Sequence, residues 1–147
     1  MLKTHGIRPR KRYSQSFVVE PRIVHDIIHR VDQYKTLIEI GSGLGTLSYY
    51  LSRYVKAPTI FFEIDERLAS ITFELVTSSS IVVVGDALDH EWNYEQVVSN
   101  TPYHITSDIL VKLARSNEVE KAVLVLQREV VDRLLAEPGS REYGRIT

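Results

Sequence analysis

Five short runs of β-branched and aliphatic residues, separated by stretches of helical periodicity, restrict this chain to a narrow set of folds. Residues 36–40, 59–64, 81–84, 96–99 and 122–127 read as buried strands. Residues 44–55, 66–76 and 106–116 read as the helices between them, with a further helix over 21–31 before the first strand. A last helix starts at Arg128, runs to about Ala136 and stops at the breaker pair Pro138-Gly139. Strands that alternate with helices require crossover connections, which predicts a mostly parallel sheet with helices on both faces, a three-layer α/β sandwich. Such sheets bind ligands beyond the carboxyl ends of their strands, so residues just after each run carry the functional signal.

After the first strand stands Glu39-Ile40-Gly41-Ser42-Gly43-Leu44-Gly45. Gly41 and Gly43 allow positive φ and close approach of backbone to a small cofactor, and Gly45 lets the next helix pack on the sheet. The glycines are spaced two and two, unlike the dinucleotide fingerprint, and no Gly-Lys-Ser/Thr follows, which argues against a nucleoside-triphosphate loop. After the second strand, Glu63 lies about 20 residues beyond the loop, the place of a carboxylate that accepts from ribose hydroxyls. Asp65 competes for that role but is better placed to cap the helix beginning near Glu66. After the third strand, Asp86 is a candidate acceptor for the amino group of an adenine ring, or else a turn cap.

The fourth strand delivers Asn100-Thr101-Pro102-Tyr103 to the same edge. The exocyclic nitrogen of adenine is a poor nucleophile because its lone pair is delocalised into the ring. The Asn100 side-chain oxygen and a backbone carbonyl around Thr101–Pro102 can accept its two N–H groups and favour a pyramidal nitrogen. Pro102 fixes the turn, and Tyr103 can stack on an extruded base. Beside a cofactor loop, this motif predicts methyl transfer from S-adenosylmethionine to the amino group of a nucleobase, with Asn100, Pro102 and Tyr103 as the catalytic set.

Composition removes other chemistries. The chain has 147 residues, 44% of them hydrophobic, and no cysteine, so thiolate metal sites and the thiol-dependent methylation of pyrimidine C5 are excluded. His25 and His29 are one helical turn apart but have no evident third ligand, and no metal site is expected. Trp92 and Tyr94 are expected to cover a sheet edge or a loop. Apolar runs are too short to span a bilayer and no signal sequence is evident, so a soluble, cytoplasmic protein is expected. Residues 1–12 carry Lys3, Arg8, Arg10, Lys11 and Arg12 without an acid, whereas residues 60–95 are acidic. The basic arm either is simply solvated or grips a polyanion by its phosphates.

From Arg10 to Thr147 the chain resembles the ribosomal RNA adenine N6-dimethyltransferase family of the KsgA/Erm type. Tyr13-Ser14-Gln15-Ser16-Phe17-Val18 is similar to the family's Gly-Gln-(Asn/His)-Phe-Leu motif, and the four segments above match its cofactor and catalytic motifs in order. Gln127-Arg128-Glu129 and the Pro138-Gly139-Ser140-Arg141-Glu142-Tyr143-Gly144 segment resemble the stretch after its fifth strand. The resemblance implies a Rossmann-like class I methyltransferase fold. Residues 1–19 form a basic arm with a cofactor motif, and 20–147 the catalytic domain. It implies that Gln15, Ser16, Val18, Glu39, Gly41, Gly43, Glu63, Asp86 and Asn100 line S-adenosylmethionine. Arg10, Lys11 and Arg12 are expected on the RNA, ribosomal RNA of the immature small subunit, with two adenines near its 3′ end as the target. Large-subunit RNA or DNA as substrate, and a non-catalytic assembly factor, stay open as alternatives. Ser14, Ser16 and Thr101 depart from the usual motif residues. The chain stops at Thr147, where the family continues with two more strands and a helical domain, so a fragment or a chain completed by a partner is expected.

Overall fold

A computed structural model describes residues 20–144 and 147 of the protein. Its elements follow in the order α1 (Pro21–Ile28), β1 (Leu37–Ile40), α2 (Thr46–Tyr54), β2 (Thr59–Glu63), α3 (Glu66–Leu75), β3 (Ile81–Val84), β4 (Gln96–Asn100), α4 (Thr106–Arg115), β5 (Lys121–Val125) and α5 (Arg128–Leu134). One-turn 3₁₀ segments at Ala87–Asp89 and Tyr103–Ile105 follow β3 and precede α4. The strands form one parallel sheet in the order β3-β2-β1-β4-β5. The order reverses between β1 and β4, which places the ligand-binding crevice of an open α/β sheet above β1.

Alternation along β1 sorts its side chains between two cores. Leu37 packs with Val24 and Ile27 of α1 and Leu47 and Leu51 of α2. Ile38 and Ile40 face the other way, onto Phe62, Val97, Trp92 and Ile109 of α4. A third cluster, Leu44 with Leu68 and Ile71, seats α3 against the glycine turn. With both faces covered, the central strands carry apolar side chains on both sides.

Helix α1 ends at Ile28, three residues earlier than its periodicity predicts. The chain there is held by a long-range clamp: buried Gln96 accepts the Asp32 N–H and donates to the Asp32 carbonyl, both at 2.8 Å. Asp65 caps α3 as predicted, accepting the Arg67 N–H at 3.1 Å and pairing with the Arg67 guanidinium at 2.6 Å. Trp92 corrects the sequence reading. It is only 4% exposed, and its indole N–H donates to the Ala87 carbonyl at 2.9 Å, so it belongs to the core under α4 and does not cover an edge. His25 and His29 hydrogen-bond each other through their Nε2 atoms at 2.8 Å. Among the described residues no helix is long and apolar enough to cross a membrane.

Candidate active site

The glycine turn after β1 is built by backbone that only glycine adopts comfortably. Gly41, Gly43 and Gly45 have φ of 75°, 58° and 74°. The N–H groups of Gly41 and Ser42 both donate to the Phe62 carbonyl, at 2.9 and 3.1 Å, which ties the turn to the end of β2. Ser42 Oγ meets Thr72 Oγ1 at 2.9 Å and ties it to α3. A Cβ on Gly43 would stand in open space, so this part of the turn presents bare backbone.

Glu63 ends β2 directly across from that turn. It is buried, and its two oxygens accept separate N–H groups, Gly43 at 2.8 Å and Asp65 at 2.9 Å. Burial pushes its carboxyl above the usual range, while those two N–H groups pull it back down. A carboxylate offers about four acceptor positions, so Glu63 keeps acceptor capacity for a ligand's hydroxyl beside its backbone N–H partners. Asp86 follows β3 and accepts the Leu88 N–H at 2.9 Å, making it a turn cap that also lines the cleft.

Glu39 lies elsewhere. At 1% exposure it is sealed beneath the glycine turn, where Ser48 Oγ of α2 donates to it at 2.6 Å, and it is not among the residues lining the cleft. Burial, opposed by the Ser48 bond and reinforced by the charge of Glu63, pushes its carboxyl up to about 8.

One cleft, open to solvent, runs along the carboxyl edge of the sheet. Gly41, Gly43, Glu63 and Asp86 line one part of it, and Asn100 and Pro102 another. Ile40, Phe62, Ile64 and Ala87 give it apolar walls. Pro102 lies close over the glycine turn: a Cβ on Gly41 would stand 3.6 Å from Pro102 Cγ. The Thr101 N–H donates to the Val125 carbonyl at 3.1 Å and anchors the motif to β5. Tyr103 is 63% exposed and stands outside the cleft lining, its ring open to solvent. Sequence reasoning passed over His104 and Ile105, which also line the cleft. The 3₁₀ turn closed by the Ile105 N–H on the Pro102 carbonyl brings them there, and the proline was the available signal. Gln15, Ser16, Val18, Arg10, Lys11 and Arg12 lie outside the described residues.

A family model described as ribosomal RNA adenine dimethylase matches residues 6–147. A probable ribosomal RNA small subunit methyltransferase A from Pyrobaculum aerophilum is 40% identical over 140 residues, covering 94% of this chain. Among solved structures, a dimethyladenosine transferase from Plasmodium falciparum superposes with a TM-score of 0.79 at 29% identity over 89% of the chain. The 23S rRNA methyltransferase ErmE does so with a TM-score of 0.73 at 27% identity over 80%. The chain spans 60% of the Pyrobaculum protein and half of each solved chain.

Proposed function

Because the chain belongs to the ribosomal RNA adenine dimethylase family, we propose that it binds S-adenosylmethionine and methylates the N6 amino group of adenines in ribosomal RNA. Its parallel sheet between helices is the Rossmann-like fold of class I methyltransferases. The observation that carries the reading is the continuity of one cleft from the glycine turn and Glu63 to Asn100 and Pro102. Donor and acceptor held in one cleft react as an effectively unimolecular pair.

The residues present fit the donor. Glu63 keeps acceptor capacity for the ribose hydroxyls, Asp86 stands at the β3 end for the adenine amino group, and Ile64 and Ala87 offer apolar walls for the ring. The bare backbone at Gly43 admits the methionine part. When bound, S-adenosylmethionine supplies a methyl group on a sulfonium. Asn100 accepts from the target amino group and orients its lone pair, Pro102 sets the turn, and exposed Tyr103 stacks on the extruded base. Gln15, Ser16 and Val18 are assigned to the donor, and Arg10, Lys11 and Arg12 to the RNA phosphates, making residues 1–19 a binding arm. Glu39 acts from beneath, as a support of the glycine turn.

Small-subunit rRNA, near its 3′ end and within immature subunits in the cytoplasm, is the target we favour. The 40% identity to a small-subunit methyltransferase, against 27% to the 23S enzyme, supports that choice. A further segment or partner alongside β5 would complete the sheet and add RNA grip.

Calorimetric titration with S-adenosylmethionine, with NADH as control, tests the donor site. Binding of the methyl donor alone is expected, weakened at least about tenfold by Glu63→Ala, the loss of two charge-assisted hydrogen bonds. Methyl incorporation into immature small subunits tests the reaction, and Asn100→Ala should abolish it while RNA binding persists. Donor binding without incorporation by the unaltered chain would instead make it an RNA-binding assembly factor.

A further inference from the structure

Replacing an N–H by an N–CH₃ on an amino group leaves one proton to be disposed of. As the N–C bond forms from the nitrogen lone pair, the S–CH₃ bond breaks and its electrons stay on sulfur. The nitrogen then carries a positive charge, which it loses by releasing a proton. Dimethylation requires this twice, because the nitrogen must recover a lone pair before the second methyl arrives.

The described cleft lining holds three titratable side chains, Glu63, Asp86 and His104. Glu63 and Asp86 stand at the ends of β2 and β3 and already accept backbone N–H groups. His104 alone lies on the β4 side, four residues after Asn100 and two after Pro102. Its ring makes no hydrogen bond to the described residues, so both nitrogens are available. The turn that carries it is fixed by the Ile105 N–H on Pro102 and by Thr106 Oγ1 on the same carbonyl, at 3.2 and 3.3 Å. The charged and titratable groups of the surrounding elements are Tyr103 on the same turn, Glu63, Asp86, Asp108 in the first turn of α4, and His90, whose ring lies beside Phe62 of the cleft wall. Lys112 of α4 is turned away, donating to the Leu88 carbonyl.

We propose that His104 is a catalytic residue that takes the proton released by the adenine amino nitrogen and passes it to water. The inference rests on the proposed adenine methylation and adds a role to a residue outside the Asn-x-Pro-Tyr motif. A neutral imidazole suits the task, since it accepts a proton near neutral pH and gives it up again to solvent.

The test is single-turnover methylation of small-subunit RNA by the unaltered chain, His104→Gln and His104→Ala, measured from pH 5.5 to 9. His104→Gln, which keeps a polar side chain of similar reach, should be slower by at least about tenfold and should alter the shape of the pH profile. Added imidazole should partly restore His104→Ala. Calorimetry should give the same donor affinity for all three chains, and the ring resonances of His104 should shift when an adenine-containing oligonucleotide is added. A His104→Gln chain with the unaltered rate and pH profile overturns the role of His104 and leaves the methylation reading standing. Failure of the unaltered chain to methylate any RNA removes both.

Discussion

Glu39 and Glu63 are both buried and close enough for their charges to interact, and their position along the strand separates them: Glu63 ends β2 at the cleft, whereas Glu39 stands one residue short of the end of β1 and is not among the cleft lining. Alternation on β1 sends Ile38 and Ile40 to the α4 side and Glu39 to the α2 side, where Ser48 meets it. The sequence placed Glu39 in the cofactor set because it precedes the glycines; strand alternation could not exclude it, since Glu63 has the same parity and lines the cleft, and what holds Glu39 away is its bond to Ser48 of α2. A carboxyl whose folded-state pKa is raised from 4.5 to about 8 keeps a proton that the unfolded chain gives up. Its contribution to stability is therefore intact below about pH 4.5 and is lost progressively as pH rises towards 8. Glu39→Gln removes that loss while retaining an acceptor for Ser48. The unfolding free-energy difference between Glu39→Gln and the unaltered chain, from chemical denaturation, should grow from pH 5 to pH 8 and then level off, reaching about a few kcal/mol in favour of the glutamine chain. A difference that is constant with pH would mean that Glu39 is ionised in the folded state.

Elements were the most legible level of the sequence, because short β-branched runs and helix breakers act locally. Strand β3 falls on the expected residues, the others within one to two, and Gly139 after α5 has the positive φ of a chain reversal. Misreadings came where distant partners decide. Gln96 reaches back to Asp32 beyond the end of α1, and Trp92 is taken into the core by Ile38, Val97 and Ile109. The join between α2 and α3 is another such contact. Gly45 starts α2 with φ 74°, and a Cβ there would lie 3.1 Å from Thr72 Cα, a backbone atom that cannot yield. Gly45→Ala should cost about 2–4 kcal/mol in chemical denaturation, combining backbone strain with overpacking. It should also weaken donor binding, because Thr72 holds Ser42 of the glycine turn. Gly43→Ala, with open space around its Cβ, should cost only the conformational part, about 1–2 kcal/mol.

Across the whole molecule, order decreases from the middle of the sheet outward. β1 is buried along its length and paired on both sides, whereas Ile81 and Val84 of β3 are more than half exposed and β5 pairs only with β4 among the described residues. Amide hydrogen exchange should therefore be slowest in β1, and at least about tenfold faster in β5; equal protection would show that the outer strand is covered. The strand order has a further consequence, in time and not in space. β1 finds one neighbour soon after it is made, since Leu37 pairs with Thr59, but its other neighbour is Gln96. During synthesis the chain can assemble β1, β2 and β3, and with them the glycine turn and Glu63, before Asn100 has left the ribosome. Until then the second flank of β1 is an open hydrogen-bonding edge, and Ile38 and Ile40 lack Val97 and α4 above them. A nascent chain at that stage has the glycine turn and Glu63 without Asn100, and the unpaired flank of β1 makes it the stage most exposed to mispairing and to capture by chaperones.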